Sequence, residues 1–261
     1  LSSVVTVCWD VREGFRFNID VEQCSLRKIL LLADFAPKKV FGHRVLNFLY
    51  KVKLVMLGPK NSYIKQDTPT TFIKEVFELN TMYSYIFIGN WINERYFKHI
   101  EKELKEDFKF TNELKGKNLS ISNKMREENS VSIHVRRGDY VNTPLDILNI
   151  DYYKKAIRLI KEKVENPVFY IFSNDENYVK EKFDFLDNKY IINWNRGRNS
   201  YIDMQLMSLC KHNIIANSTF SFWGAYLNNN ANKIVICPNI LYKDKNNIQS
   251  ISCEDWIKIE V

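Results

Sequence analysis

Ser130-Val131-Ser132-Ile133-His134-Val135-Arg136-Arg137-Gly138-Asp139-Tyr140 is the stretch that decides the fold class of this chain. Val131, Ile133 and Val135 alternate with two serines and a histidine, the period of a strand. The strand runs straight into two arginines, a glycine and an aspartate, which are loop formers. A buried strand thus delivers guanidinium groups to the carboxyl edge of a sheet, where open α/β proteins bind ligands. A guanidinium fork matches a phosphate or carboxylate with two parallel hydrogen bonds. Gly138 lets a backbone approach closely. A solvated turn would carry the same residue types, so the stretch needs support from its surroundings.

Downstream the pattern alternates regularly. A helix is expected from Asp151, with Tyr152, Tyr153, Ala156, Ile157 and Ile160 on its core face and Asp151 as N-cap or first-turn acid. A strand at Val168–Phe172 ends in Ser173-Asn174-Asp175, and a helix follows at Glu176–Phe183. Then come a strand (Tyr190–Trp194), a loop holding Arg196-Gly197-Arg198 and a helix (Ser200–Cys210). A strand (Asn213–Ala216), a polar turn (Asn217–Ser221), a helix (Phe222–Asn228) and a strand (Lys233–Cys237) complete the series. Strands alternating with helices imply βαβ units and a parallel sheet.

The front of the chain is less regular. A strand is expected at Val4–Trp9, helical spacing over 40–57, strands within 72–88, a turn at Gly89-Asn90-Trp91 and a helix over Asn93–Phe108. The polar run Lys115–Asn129 reads as a linker, which divides the chain into domains 1–128 and 129–261.

With 261 residues and 45% hydrophobic content the chain can bury a substantial core. A net charge of +7 suits an anionic partner: a nucleotide, a nucleic acid or an acidic membrane face. Nucleic acid fits poorly, because the arginines gather at one strand end and no nucleic-acid motif appears. Five scattered cysteines and four histidines show no metal-ligand spacing and no disulfide framework. No apolar run is long enough to span a membrane. The expectation is a cytoplasmic protein, with room for peripheral contact at the inner face of a membrane.

Three strand ends carry polar groups: His134, Arg136, Arg137, Gly138 and Asp139; then Ser173 and Asp175; then Asn217, Ser218, Thr219, Phe220 and Ser221. The last cluster precedes a helix, whose free backbone N–H groups favour a phosphate. Capping of that helix is the plainer role for its hydroxyls. Together the three ends describe a pocket for a nucleoside diphosphate.

These residues resemble a known family. Ile133-His134-Val135-Arg136-Arg137-Gly138-Asp139-Tyr140-Val141 is similar to the HxRRGDY segment of the bacterial α-1,2-fucosyltransferases of glycosyltransferase family 11. Asp151–Ile157, Ile171–Asp175 and the long run Asp203–Ala225 match its later segments, and Gly89–Phe97 an earlier one. Asn174 stands where that family commonly has aspartate, and Phe222 where it has tryptophan. The GGLGNQ-type loop that usually opens such chains is not found, so the N-terminal domain is expected to be incomplete.

The resemblance implies a GT-B-like α/β architecture: two Rossmann-like domains with parallel sheets, an acceptor-side domain at 1–128 and a GDP-fucose-binding domain at 129–261. It implies inverting transfer of L-fucose from GDP-β-L-fucose to the 2-hydroxyl of a galactose-containing acceptor in a bacterial surface glycan, without a metal or cofactor. Arg136 is then the group that stabilises the leaving phosphate, and Arg137 assists it or braces the loop. Gly138 and Tyr140 belong to the same donor-binding loop. Asp139 is the nearest carboxylate for a general base, or a partner for an arginine. His134 orients the loop or touches the nucleotide. Ser173, Asp175 and Asp203 are placed at the base or ribose. Asn217, Ser218, Thr219, Phe220 and Ser221 would hold phosphate and nucleoside. A GT-B enzyme with another nucleotide sugar and an inactive nucleotide-binding homologue are the alternatives.

Overall fold

A computed structural model describes residues 5–7, 63–79, 85–243 and 248–261. The expectations for 13–57 lie outside these residues. Two compact units divide the chain between Lys109 and Phe110.

The described part of the first unit holds a parallel three-stranded sheet. Its strands β1 (Val5–Val7), β2 (Tyr63–Lys65) and β3 (Tyr85–Ile88) lie in the order β1-β3-β2. Among the described residues of 72–88 only β3 is a strand; Lys74–Glu78 winds into a 3-10 helix. The expected helix over 93–108 is broken as well. Two 3-10 turns, Glu94–Tyr96 and Lys98–Ile100, precede α1 (Glu101–Asp107). Tyr96 leads its neighbourhood into side-chain contacts: its hydroxyl accepts from Ile73 N at 2.7 Å and its ring packs on Phe72 at 5.0 Å.

The second unit begins with α2 (Gly116–Glu127), in the segment read as a linker. The sequence hid this helix because it buries a narrow stripe, Ile121, Ser122 and Met125, in an otherwise polar run. Next come β4 (Ser130–Val135), α3 (Ile150–Lys163), β5 (Val168–Ser173), α4 (Glu176–Lys182) and β6 (Lys189–Ile192). Asn149 caps α3, accepting from Asp151 N at 2.9 Å, and Asp151 is the acid of the first turn. After α5 (Tyr201–Leu209) and β7 (His212–Ile214), α6 (Thr219–Tyr226) starts earlier than expected, so Ser221 is helical. Strand β8 (Val235–Pro238) leads to an antiparallel pair, β9 (Ile240–Tyr242) with β10 (Ile248–Gln249). An unanticipated strand, β11 (Ile257–Ile259), closes the chain's main sheet.

That sheet has six parallel strands in the order β11-β8-β7-β4-β5-β6. The chain walks outward from β4 to β6, then returns across to β7 and walks the other way. This is the doubly wound Rossmann order, and β4 and β7 flank its switch point.

Both faces of the sheet are covered. On one, Val131, Ile133 and Val135 pack with Phe169 and Ile171 against Tyr152, Tyr153, Ala156, Ile157 and Ile160 of α3. On the other, Tyr170 and Phe172 pack against Met125 of α2 and Leu206 and Met207 of α5. Met125 is fully buried. Met125→Ala should therefore destabilise the protein by about 2–5 kcal/mol in urea unfolding, the cost of a core truncation. A loss below about 0.5 kcal/mol would mean that 116–127 is a tolerant linker after all.

Candidate functional site

A cleft of about 180 Å³ opens at the carboxyl edge of the six-stranded sheet. Three strand ends and the starts of two helices meet there. The strand ends supply His134 and Arg136 after β4, Phe172, Ser173 and Asn174 after β5, and Asn195, Arg196 and Gly197 after β6. Asp203 of α5, Ser200 before it and Phe220 in the first turn of α6 complete the lining.

His134 is the last polar residue on its side of β4. Its carbonyl accepts from the Tyr153 hydroxyl at 3.1 Å, which pins the strand end to α3. Its imidazole lies 5.4 Å from the Phe220 ring. Its Nδ1 is buried with no hydrogen-bond partner among the described residues. Burial, and then the Arg136 charge, push its pKa down to about 3. The ring at the cleft is therefore neutral at physiological pH.

The two adjacent arginines diverge. Arg136 turns to the cleft, with Asp139 accepting from its Nη2 at 2.8 Å and the Tyr140 ring 5.4 Å from its guanidinium. Arg137 turns away: its Nη1 donates to Asp146 at 3.2 Å, its Nε lies 3.9 Å from Asp175, and its guanidinium lies 4.4 Å from the Tyr178 ring. Of the two expected roles, bracing the loop is the one that this geometry supports. Asp139, read as a candidate base, holds the Arg136 guanidinium and does not line the cleft.

Gly138 joins these residues at φ +32°, a left-handed conformation in which a Cβ would collide with the Asn174 amide. Asn174 clasps the loop from β5, accepting from Arg137 N at 2.9 Å. Tyr140 reaches across the switch point, its hydroxyl 3.5 Å from Asn217 O.

Several expected site residues make contacts that hold the fold. Asp175 caps α4, accepting from Tyr178 N at 3.0 Å. The Asn217 amide donates to Leu145 O and Leu241 O at 2.9 and 2.7 Å. Ser221 hydrogen-bonds back to Ala216 O and Ser218 O. Ser218 and Thr219 do not line the cleft; Ser218 is the buried N-cap residue and Thr219 opens α6. Only Phe220 of that cluster faces the cavity, and Ser173 contributes from β5.

The sequence reading missed the loop after β6. Arg196 is the second guanidinium at the cleft, held by Asn193 O at 3.0 Å and Ser173 O at 3.5 Å. The signal was present: Arg196-Gly197-Arg198 follows a strand just as Arg136-Arg137-Gly138 does. Asp203 also faces this loop. Desolvation raises its pKa to about 7, against the opposing pull of an Asn195 hydrogen bond and of the Arg196 charge.

A model of the family described as Glycosyl transferase family 11 matches residues 61–260. The chain belongs to glycosyl transferase family 11. The family-11 chain is 41% identical over 136 residues to an O-antigen biosynthesis glycosyltransferase, WbnK, of Escherichia coli, covering 50% of this chain and 45% of the relative. It is 39% identical over 183 residues to an Escherichia coli alpha-1,2-colitosyltransferase, covering 67% and 62%. A galactoside alpha-(1,2)-fucosyltransferase 1 of Saimiri boliviensis boliviensis is 27% identical over 255 residues, covering 84% and 65%. The matches thus span about half to two-thirds of these relatives' length.

Among the described residues of the family-11 chain, no group of His, Cys, Asp and Glu is placed to hold a metal. Among them, no helix is long and apolar enough to cross a membrane.

His134 and Asp203 give the site a pH signature in stability. An imidazole depressed to about 3 loses stability as pH falls below its unfolded value. A carboxyl raised to about 7 is protonated preferentially in the folded state, so its stabilisation is lost as pH rises from about 4 to 7. Asp203→Asn removes only the second effect. Between about pH 5 and pH 8, unfolding in urea should shift by about 2 kcal/mol in favour of the variant relative to the unaltered chain. A pH-independent difference would mean that Asp203 titrates as an ordinary surface carboxylate.

Proposed function

We propose that this family-11 chain transfers L-fucose from GDP-β-L-fucose to the 2-hydroxyl of a galactoside in a bacterial surface glycan, with inversion and without a metal. The observation that carries this reading is the pairing of Arg136 and Arg196 at one cleft on the carboxyl edge of a doubly wound sheet. Two guanidinium groups suit a diphosphate, whose charge grows as the sugar departs. The α-1,2 linkage follows the names of two relatives, and the galactoside acceptor the name of one.

In this reaction the acceptor oxygen attacks the anomeric carbon of fucose from the face opposite the nucleotide. The bond from that carbon to the phosphate oxygen breaks, and GDP leaves with the electron pair. Arg136, aimed by Asp139, meets the charge on the leaving phosphate. The neutral His134 adds no competing positive charge and can exchange a hydrogen bond with the nucleotide through its unpartnered Nδ1. Asp203 accepts hydrogen bonds from the base or ribose. The proton of the attacking hydroxyl goes to a base other than Asp139, whose carboxylate is committed to Arg136.

The relative named for colitose transfer favours a second reading, in which the sugar transferred is colitose, carried on the same nucleotide. Incubating the full-length protein with each GDP-sugar and a panel of β-galactosides, with linkage analysis of the products, separates the two. An α-1,2-fucosylated galactoside supports the first reading. Transfer of colitose alone establishes the second, and GDP binding without any transfer overturns both. Excess EDTA should change the rate less than about twofold, because the arginines carry the charge that a divalent ion would otherwise neutralise. Complete loss restored by Mn²⁺ or Mg²⁺ would overturn the metal-free mechanism.

Arg136→Ala should lower turnover by about 10²–10³ with the fold retained, the typical cost of removing one preorganised donor to a developing anion. Near-normal steady-state turnover would reduce Arg136 to a loop residue.

A further inference from the structure

The cleft carboxylate of Asp203 is reached by a chain of side-chain amides that begins on a different element. Asn195 Nδ2 donates to Asp203 Oδ1 at 2.8 Å. The same nitrogen donates to Asn118 Oδ1 at 3.0 Å, and Asn118 Nδ2 returns a bond to Asn195 Oδ1 at 2.9 Å. Trp194 Nε1 donates to Asn118 Oδ1 at 2.7 Å. Asn195 is buried, and Asn118 sits in the first turn of α2.

The direction of this chain is dictated at one end. An amide side chain can turn over, exchanging its oxygen and nitrogen, and each orientation satisfies different neighbours. An indole N–H can only donate. Trp194 therefore requires oxygen, not nitrogen, at the near end of the Asn118 amide. That choice points Asn118 Nδ2 at Asn195 and requires oxygen there in turn. Asn195 is left with its nitrogen toward Asp203. The carboxylate thus always meets a donor on Oδ1, while Oδ2 has no partner among the described residues.

We propose that Trp194, Asn118 and Asn195 form an orienting relay that fixes Asp203 as a ligand-facing hydrogen-bond acceptor in the donor cleft. All three are positioning residues; Asp203 is the group that meets the nucleotide. The relay itself stands on geometry, and its effect on binding rests on the reading of the cleft as a nucleotide site. It also gives α2 a part in the site: the helix lies outside the cleft lining, yet it supplies the amide on which the orientation turns. Asp203 shares the cleft with Arg136 and His134 from the β4 end and Arg196 from the β6 end, so these are the charged and titratable groups that face it. The relay contributes only neutral groups.

Two measurements test this. The first needs no ligand: the titration of the Asp203 carboxyl carbon followed by NMR, assigned with Asp203→Asn. Losing a donor to the carboxylate favours its protonated form. The Asp203 midpoint should therefore rise in Asn195→Ala and in Trp194→Phe, the latter keeping an aromatic ring and losing only the N–H. The second is GDP affinity by calorimetry near neutral pH. Trp194→Phe should weaken GDP about three- to tenfold, the scale of one neutral hydrogen bond such as the indole-to-amide bond it removes. It should add nothing in an Asp203→Asn background, because the relay acts only through that carboxylate.

An unmoved Asp203 midpoint in Asn195→Ala, or additive effects of Trp194→Phe and Asp203→Asn on GDP affinity, would overturn the relay. A moved midpoint in a chain that binds no GDP would keep the relay and overturn the nucleotide reading. Asn195→Ala carries the test if Trp194→Phe fails to fold.

Discussion

The second unit depends on a constraint inside strand β4: it is buried on both faces, and one of those faces is polar. Val131, Ile133 and Val135 meet aliphatic and aromatic side chains on one side. Ser130, Ser132 and His134 are equally buried on the other. A buried polar group costs free energy unless it finds a partner, so each of these dictates a neighbour. Ser130 donates to Met125 O at 2.6 Å and accepts from Lys211 N at 3.0 Å, tying β4 to the end of α2 and the approach to β7. Ser132 accepts from Asn213 at 2.7 Å; that amide also donates to Met207 O and accepts from Asn228. The hydroxyl row thereby sets where α5, β7 and the segment after α6 sit. His134 ends the row, and there the pattern changes: its Nδ1 has no protein partner among the described residues and its ring borders the cleft. The row is satisfied internally up to the position where a ligand can complete it.

The Arg136-Arg137 pair shows how one loop separates binding from support. Arg136 lies with the cleft residues, while Arg137 is enclosed by Asp146, Asp175 and Tyr178. Asp146 also accepts from Asn142 N at 3.4 Å, so the Arg137 contact gathers the far end of the same loop. Asn174 suits the task of clasping it, since its amide both accepts from Arg137 N and lies 3.5 Å from Asp139 Oδ1 as a donor. An aspartate there could only accept, and would set one carboxylate against another. The Asp139 carboxylate is then free of repulsion from β5 and can aim Arg136.

Two relatives of this chain carry names for different sugars, colitose and fucose. Arg136, Arg196, His134 and Asp203 come from strand ends and a helix start whose positions the sheet determines. The polar groups that line the cleft are thus placed by the sheet. Discrimination of one missing sugar hydroxyl needs only a few contacts beyond them, since a site built to hydrogen-bond a hydroxyl rejects its deoxy analogue strongly.

Local sequence determined the parallel α/β class and most element positions, because strand and helix periods and their polar ends are encoded within windows of a few residues. The strand Ser130–Val135 and the core face of α3 were legible for that reason. So was the gathering of polar groups at the sheet's carboxyl edge. Tertiary structure decided what no local window contains. It made a helix of 116–127, whose buried Ile121 and Met125 find apolar partners on β5 and α5. It sent Arg136 to the cleft and Arg137 to a brace, a choice set by Asp146 and Tyr178 from elsewhere in the chain. It turned Asp175, Asn217 and Ser221 into caps and ties, and brought in Arg196 and Asn195 from the loop after β6. Sequence specifies which groups can bind an anion; which of them are spared for a ligand depends on partners that only folding brings within hydrogen-bond reach.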